Sequence, residues 1–436
     1  MSPEMMTILI IVSFLVLMAL GLPVAFSLIG LSTLFIIIFM GLNVAHVTYL
    51  GVFSVVTKDI YIAIPTFVFM AAALQFSGIA ELLYDMMHKW AGGLRGGLAI
   101  GTVAVCTLIA AMTGIGATGV VTMGLLAYPE MRKRGYAKSI ALGCIPAGGA
   151  LGPLIPPSVV MVIVAGFAQV SVGKMFMGGV FPGLLMSLLF VGYISVRCIL
   201  QPELAPSLPL EERATWKEKF ISLRGVIAPI ILIIAVLGGI YSGAFTPSEA
   251  GGIGAFGALI CAAISRRLNW TTLRGAAVTT LKTSAMVMWL LVGGTTLASL
   301  MSMTGVTHFL SSMISGMAIA PMAIVGVMMI IALIMGMLMD ATAISVITLP
   351  IFIPIINQMG FDPLWFAILF TINMIVGYIT PPFGANLFYM KGLTPPDVSM
   401  GDIYRSCVPY VFLMLIVLVV AFFWDPLLTW LPSLMK

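Results

Sequence analysis

Asp340, in the stretch "MGMLMDATAISVITLP" (335–350), is the one acidic residue set deep in an apolar segment. A charge at such depth costs at least about 2.5–3.5 kcal/mol on insertion scales, and no Lys or Arg lies nearby in sequence. The carboxylate therefore needs a partner or a task, and two readings fit. Helped by Thr342 or Ser345, it binds Na+ or a coupling proton; or it is a structural group capping the N-terminus of a half-helix. A second polar island, "AAMTGIGATG" (110–119), brings Thr113, Gly114, Gly116, Thr118 and Gly119 into an otherwise apolar region. Hydroxyls and flexible backbone let carbonyl oxygens turn inward onto a hard cation. The same small residues also suit close helix packing of the Gly-xxx-Gly kind.

Two proline breaks complete the set, "GGALGPLIPPS" (148–158) and "GYITPPFGANLF" (377–388). Proline removes an amide N–H and clashes with the preceding turn, so Pro156 and Pro157 after Gly152 and Pro153, like Pro381 and Pro382 after Gly377 and Thr380, unwind a helix. The freed carbonyls can hold a cation. The restarted half-helices present positive dipole ends to an anion, with Ser158 and Asn386 just past the prolines. A kink that serves packing is the alternative.

Other chemistries find no support. His46, His88 and His308 are far apart, and Cys106, Cys144, Cys198, Cys261 and Cys407 lack metal-ligand spacing. There is no catalytic dyad, no His-Glu-x-x-His and no P-loop, which argues against an intramembrane enzyme or an ATP-driven pump in this chain. A net charge of +5 is the charge of loops at lipid headgroups and points to no nucleic-acid partner. No cofactor is expected.

The elements that position these residues are transmembrane helices. With 61% hydrophobic and 8% charged residues and a mean hydropathy of +1.18, nearly every window of about 20 residues passes a transmembrane test. The 436 residues leave room for roughly a dozen crossings and no sizeable soluble domain. The fold class is an all-α polytopic membrane protein. Spans are expected at 5–20, 24–42, 61–79, 97–130, 138–168, 175–199, 225–243, 248–265, 283–302, 318–357, 362–390 and 406–429. The N-terminus lacks the basic region and cleavage site of a signal peptide and is expected to persist as the first span. The stretch 43–61, interrupted by His46, Thr48, Lys58 and Asp59, reads as an interfacial helix. Glu249 and Glu130 read as helix caps, and Arg95 as a cytoplasmic anchor.

The chain reads as two copies, 1–200 and 225–436, joined by a polar cytoplasmic linker at 201–224. Pro129, Gly135, Gly152, Pro156 and Pro157 recur at one constant offset as Pro354, Gly360, Gly377, Pro381 and Pro382. "FSGIAELL" from Phe76 likewise matches "MTGVTHFL" from Met303. After Pro129 come Arg132, Lys133, Arg134 and Lys138, whereas the equivalent stretch after Pro354 carries no base. By the positive-inside rule the first copy turns towards the cytoplasm there and the second away from it. Arg266, Arg267, Arg274, Lys391 and Arg405 add cytoplasmic anchors. All anchors agree only if 97–130 and 318–357 enter and leave on one side, as re-entrant hairpins, each followed by a broken helix, 138–168 and 362–390. Such inverted repeats place a binding site where the breaks meet. That architecture is a secondary transporter's.

In order and spacing, "GGALGPLIPPS", "FTPSEAGG", "MDATAISVITLPIFIPI" and "TPPFGANLF" resemble the large membrane (M) subunit of the tripartite ATP-independent periplasmic (TRAP) transporters, across essentially the whole chain. The resemblance implies an elevator-type Na+ symporter in the bacterial inner membrane. It works with a four-helix small membrane (Q) subunit and a periplasmic binding protein that delivers a small organic anion. It further implies one Na+ site at Thr113, Gly114 and Thr118 with Gly152 and Pro153, and a second at Asp340 and Thr342 with Gly377 and Thr380. The substrate would lie between the tips, near Gly116, Pro156, Pro157, Ser158, Pro381, Pro382 and Asn386. Many members carry Ser-Gly-Ser-Ser at the first tip where this chain has "TGIGAT", which shifts the expected ligands there from side chains to carbonyls. No fused small subunit is expected. A stand-alone proton- or Na+-coupled organic-anion carrier of related fold is the alternative.

Overall fold

The computed structural model describes residues 2–315 and 319–435. The expected hairpin start at 318 and the outer bounds of the two copies at 1 and 436 lie outside the described residues. Among those described, every regular element is helical. Eight helices are long and apolar enough to cross a membrane, and the shorter apolar ones include hairpin arms and half-helices. Polar caps start several of them: Thr215 with Glu218, Thr246 with Glu249 and Ser399 with Asp402 form reciprocal capping boxes. Glu130 is no cap. It lies inside its helix and pairs with Arg134 one turn on.

The first hairpin consists of Gly97–Thr113 and Gly116–Lys133. Both of its ends are pinned to consecutive linker residues: Gly96 N donates to Ala205 O (3.0 Å) and Ala137 N to Leu204 O (2.8 Å). A segment whose two ends meet the same dipeptide has entered and left on one face. That face carries Arg132, paired with Asp397 at 3.1 Å, and Lys138, 3.6 Å from Asp402, so by the positive-inside rule it is cytoplasmic. Helix Met400–Phe423 starts there; its 24 residues reach about 36 Å, enough to cross a bilayer. At its far end Trp365 Nε1 donates to Ala421 O, and a Cβ on Gly326 would lie 3.9 Å from Phe422. The second hairpin, Pro321–Leu338 with Ala341–Gln358, therefore enters from the opposite face.

Each hairpin is followed by a broken helix, Lys138–Ala150 with Val159–Ala168, and Pro363–Gly377 with Ala385–Leu393. Corresponding backbone specials recur in the two halves. Gly78 and Gly305, like Gly135 and Gly360, hold φ between +70 and +75°, and the Pro156–Pro157 and Pro381–Pro382 bonds are both cis. The half-helices also cross over: Ala385–Leu393 packs on the first hairpin's Gly116–Lys133, and Val159–Ala168 on the second hairpin's Ala341–Gln358. One core thus holds both tips and both breaks.

Three expectations shift. The linker ends early, because Trp216–Tyr241 is helical from a Thr215 cap. The span placed at 283–302 is the second half of a 34-residue helix, Trp270–Met303, whose polar first half keeps it below a hydropathy threshold. Helix Ile79–Ala91 was not expected; Glu81, Asp85, His88 and Lys89 on its polar face hide it from hydropathy, although its amphipathic spacing could have revealed it. The 43–61 stretch holds helix His46–Val56 with short turns on either side.

Candidate functional site

At the second tip, Asp340 is the N-cap of Ala341–Gln358. Its Oδ2 accepts from Thr342 N (2.9 Å) and its Oδ1 from Tyr378 Oη (2.9 Å). Tyr378 Oη also accepts from Ala341 N at 3.4 Å. Capping, one of the two readings of this carboxylate, is thus realised, yet the residue remains exposed and keeps free lone pairs. Gly377, behind Tyr378, lies against the first arm: a Cβ there would come within 2.7–2.9 Å of the Gly336 backbone. Only glycine lets the break approach the hairpin so closely.

The first tip is built the same way but is more buried. A Cβ on Gly114, which sits at φ +60°, would collide with Pro157 O, and one on Gly152 would lie 2.6 Å from Gly116 N. Thr113 Oγ1 donates to Ile109 O (2.9 Å) and Thr380 Oγ1 to Val376 O (2.6 Å), so both hydroxyls are engaged by their own helices. Ser158 is fully buried; its Oγ donates to Pro153 O (2.6 Å) and accepts from Met161 N (3.3 Å), closing the first break. The second break is looser, with Pro382 exposed and its carbonyl accepting from Tyr404 Oη.

The two copies meet around a cavity of about 220 Å³. Of the residues singled out in the sequence, Gly114, Gly116, Pro153, Asp340, Thr342 and Asn386 line it. Thr118, with Thr113, lines a separate narrow cleft against Leu74 and Gln75. Gly152, Pro156, Pro157, Ser158, Gly377, Thr380, Pro381 and Pro382 build the walls' backbone without lining the cavity. Tyr378, Tyr389 and Thr283 line it as well and were not singled out in the sequence; Thr283 belongs to Trp270–Met303, outside the hairpins and breaks.

Helix ends set the electrostatics. The N-termini at Gly116, Val159, Ala341 and Ala385 and the C-termini at Thr113, Ala150, Leu338 and Gly377 all fall at this core. Each N-terminus carries roughly half a positive charge and each C-terminus roughly half a negative one. Such a mixture accommodates an anion and a cation side by side.

The family model of the tripartite ATP-independent periplasmic transporter DctM component matches residues 11–427. This chain belongs to that family. The C4-dicarboxylate TRAP transporter large permease protein DctM of Pseudomonas aeruginosa is 33% identical over 360 residues, 82% of this chain and 83% of that protein. The isethionate TRAP transporter permease protein DctMQ of Oleidesulfovibrio alaskensis is 33% identical over 413 residues, 93% of this chain, which spans 63% of that protein's length. Among solved structures, MtrF of Neisseria gonorrhoeae superposes with a TM-score of 0.67 at 16% identity, over 89% of this chain and 85% of that one. That likeness concerns the fold alone. As a TRAP large permease, the chain is a multi-pass inner-membrane protein.

Within this TRAP permease each hairpin tip packs on a helix outside the hairpins. The first tip shares its cleft with Leu74 and Gln75, at the C-terminal end of Ala63–Phe76. The second tip, Asp340 and Ala343, shares a pocket with Pro23, Val24, Ala25 and Met286. At the other end of helix Pro3–Ala19, Pro3 lies beside Gly305.

Proposed function

We propose that this chain is the transport subunit of a Na+-coupled tripartite importer of a small organic acid, working by an elevator movement with a small membrane subunit and a periplasmic binding protein. The observation that carries the reading is the central cavity, where a capped but exposed carboxylate, Asp340, and helix N-termini from both copies line one space. Its relatives are named for C4-dicarboxylate and isethionate, which are acids, and family membership supports the tripartite assembly.

One Na+ is held by Asp340 and Thr342 with carbonyls at Gly377 and Thr380. The other is held by carbonyls at Thr113, Gly114, Gly152 and Pro153, where the glycines of the first tip and the first break leave the backbone close together. The acid lies between them, against the restarted half-helices. Coupling follows, since a cation at each tip screens the C-terminal dipole ends and makes the site hospitable to an anion.

Reconstitution with candidate partner subunits and labelled acids, with and without an inward Na+ gradient, tests this. Uptake is expected to require both the gradient and the binding protein. Equal uptake without the binding protein would replace this reading by the solitary carrier.

A further inference from the structure

Among the described residues no Lys, Arg or His lines the central cavity, yet an anionic cargo must enter and leave it. Two bases stand close to its lining residues in the chain. Lys391, two residues past Tyr389, is committed elsewhere, because its Nζ donates to Val398 O. Lys282, next to Thr283, is exposed and pairs with no carboxylate among the described residues.

Helix geometry fixes where Lys282 stands. It belongs to Trp270–Met303, about 18 Å along the axis from Trp270. The following residue, Thr283, lines the cavity, and so does Met286, one turn on. Residues four apart share a helix face, with their Cβ atoms about 5–6 Å from each other. Lys282 therefore stands one turn outside the cavity, on the same stripe as Met286. That stripe is open: Met286 is 55% exposed, Val278, one turn before Lys282, is 41% exposed, and Arg274, a further turn out, is exposed as well. Thr272, Ala276, Leu290 and Leu291, on the rest of the helix, are buried. The stripe leads towards the basic end of the helix, where Arg267 lies against Gly78 and Gly275 against Phe76. With Arg266, Arg267 and Arg274 together, that end is cytoplasmic by the positive-inside rule.

A lysine so far along an apolar helix is costly unless its ammonium meets water or an anion, and a base at such depth marks an ion pathway. We infer that Lys282, with Arg274 beyond it, forms an anion-attracting track between the central cavity and the cytoplasm. Lys282 is its inner station and a positioning residue for release of the cargo. This rests on the transporter reading above and adds a route to it. Inside the cavity the charge of Asp340 is balanced by Na+ in that reading. At the mouth Lys282 is unbalanced, so a departing anion meets a positive potential focused by apolar walls. The two bases are about 12 Å apart along the helix, which passes the anion on in steps.

Thiol-modifying reagents of opposite charge read this field without transport. The protein is the full-length chain with Met286→Cys, in inside-out membrane vesicles at fixed NaCl; its five native cysteines are buried. The probes are anionic sulfonatoethyl and cationic trimethylammonioethyl methanethiosulfonate, and the readout is the ratio of their modification rates. Adding Lys282→Gln should lower the anionic-to-cationic ratio at least about threefold, as expected for removing one charge within a Debye length. Lys282→Arg should keep the ratio. Choline chloride should bring the parent protein down towards the Lys282→Gln value. Arg274→Gln should act more weakly, being about 18 Å from the probe. If Met286→Cys fails to fold, Thr283→Cys carries the same measurement. A ratio unchanged by Lys282→Gln, or no modification from the cytoplasmic side, overturns the inference, while Na+-driven uptake by the parent protein leaves the transporter reading intact. A ratio that depends on Lys282 in a protein that takes up no acid with any partner overturns the transporter reading, and with it the cargo assigned to the track.

Discussion

Tyr378 Oη reaches Asp340 Oδ1 across 2.9 Å and so ties the second helix break to the second hairpin tip. The carboxylate caps a helix, and one substitution can separate that role from the cation binding proposed for it. Asparagine caps a helix nearly as well as aspartate, so Asp340→Asn should leave thermal stability within ~1 kcal/mol of wild type. It removes the charge a cation needs, and Na+-driven uptake should fall at least about tenfold, as expected for loss of a charge-assisted contact of ~1.5–3 kcal/mol. Uptake assays over a Na+ series check this; wild-type rates with an unchanged Na+ dependence would reduce Asp340 to a cap. Tyr378→Phe should weaken apparent Na+ affinity more mildly, since Thr342 N still orients the carboxylate.

The glycines at the breaks make a second prediction. Gly377→Ala places a methyl group within 2.7–2.9 Å of the Gly336 backbone, where no side chain can yield. The break must move off the hairpin, at a cost of ~1–3 kcal/mol for overpacking. Gly392 has ordinary φ and nothing within 4 Å of a Cβ, so Gly392→Ala should be neutral or stabilising by up to about 1 kcal/mol. Melting temperatures in one detergent compare the two. Similar values would show that the Gly336–Gly377 approach is not needed.

The hairpins and breaks were legible because membrane physics leaves few explanations for proline and glycine in apolar runs, and because the loop after Pro129 is basic while its counterpart is not. Side-chain roles were less legible. Thr113 offered a hydroxyl that the fold turns back onto Ile109, and Ser158 one that closes its own break. Tyr378 drew no attention in the sequence and donates to the site's carboxylate. Such outcomes depend on which rotamer the neighbouring backbone allows. Asn386 was singled out as a polar group at a helix restart; that its Nδ2 donates to Pro146 O follows only from the position of Pro146, far away in sequence.

Arg134, paired with Glu130 of its own hairpin, ties that hairpin to the linker through Glu212 at 2.7 Å. The Arg134 side chain is only 22% exposed, so Arg134→Gln leaves both carboxylates without their counter-charge. A loss of ~1–3 kcal/mol is expected from removing a charged partner, against ~0–1 for Arg132→Gln at the half-exposed pair with Asp397. Melting at low and high salt separates them, because added salt should reduce the smaller effect further.

The first tip packs on the C-terminal end of Ala63–Phe76 and the second beside Pro23, and under the elevator reading proposed above the repeat predicts the opposite arrangement as well. Thr118 shares a cleft with Gln75; by the offsets of the matched motifs their counterparts are Ala343 and Ser302. If the transport unit moves outward as a body, Ala343 should approach Ser302 as Thr118 leaves Gln75. The five native cysteines are buried, so introduced pairs can be cross-linked selectively. Gln75→Cys with Thr118→Cys should link readily in the resting protein. Ser302→Cys with Ala343→Cys should link only during turnover, under Na+ and substrate. Each link should arrest uptake and each should be reversed by reductant. Continued uptake by a protein whose second pair never links under turnover would rule out the exchange of one arrangement for its mirror, because the motion would then leave the second tip where the structure has it.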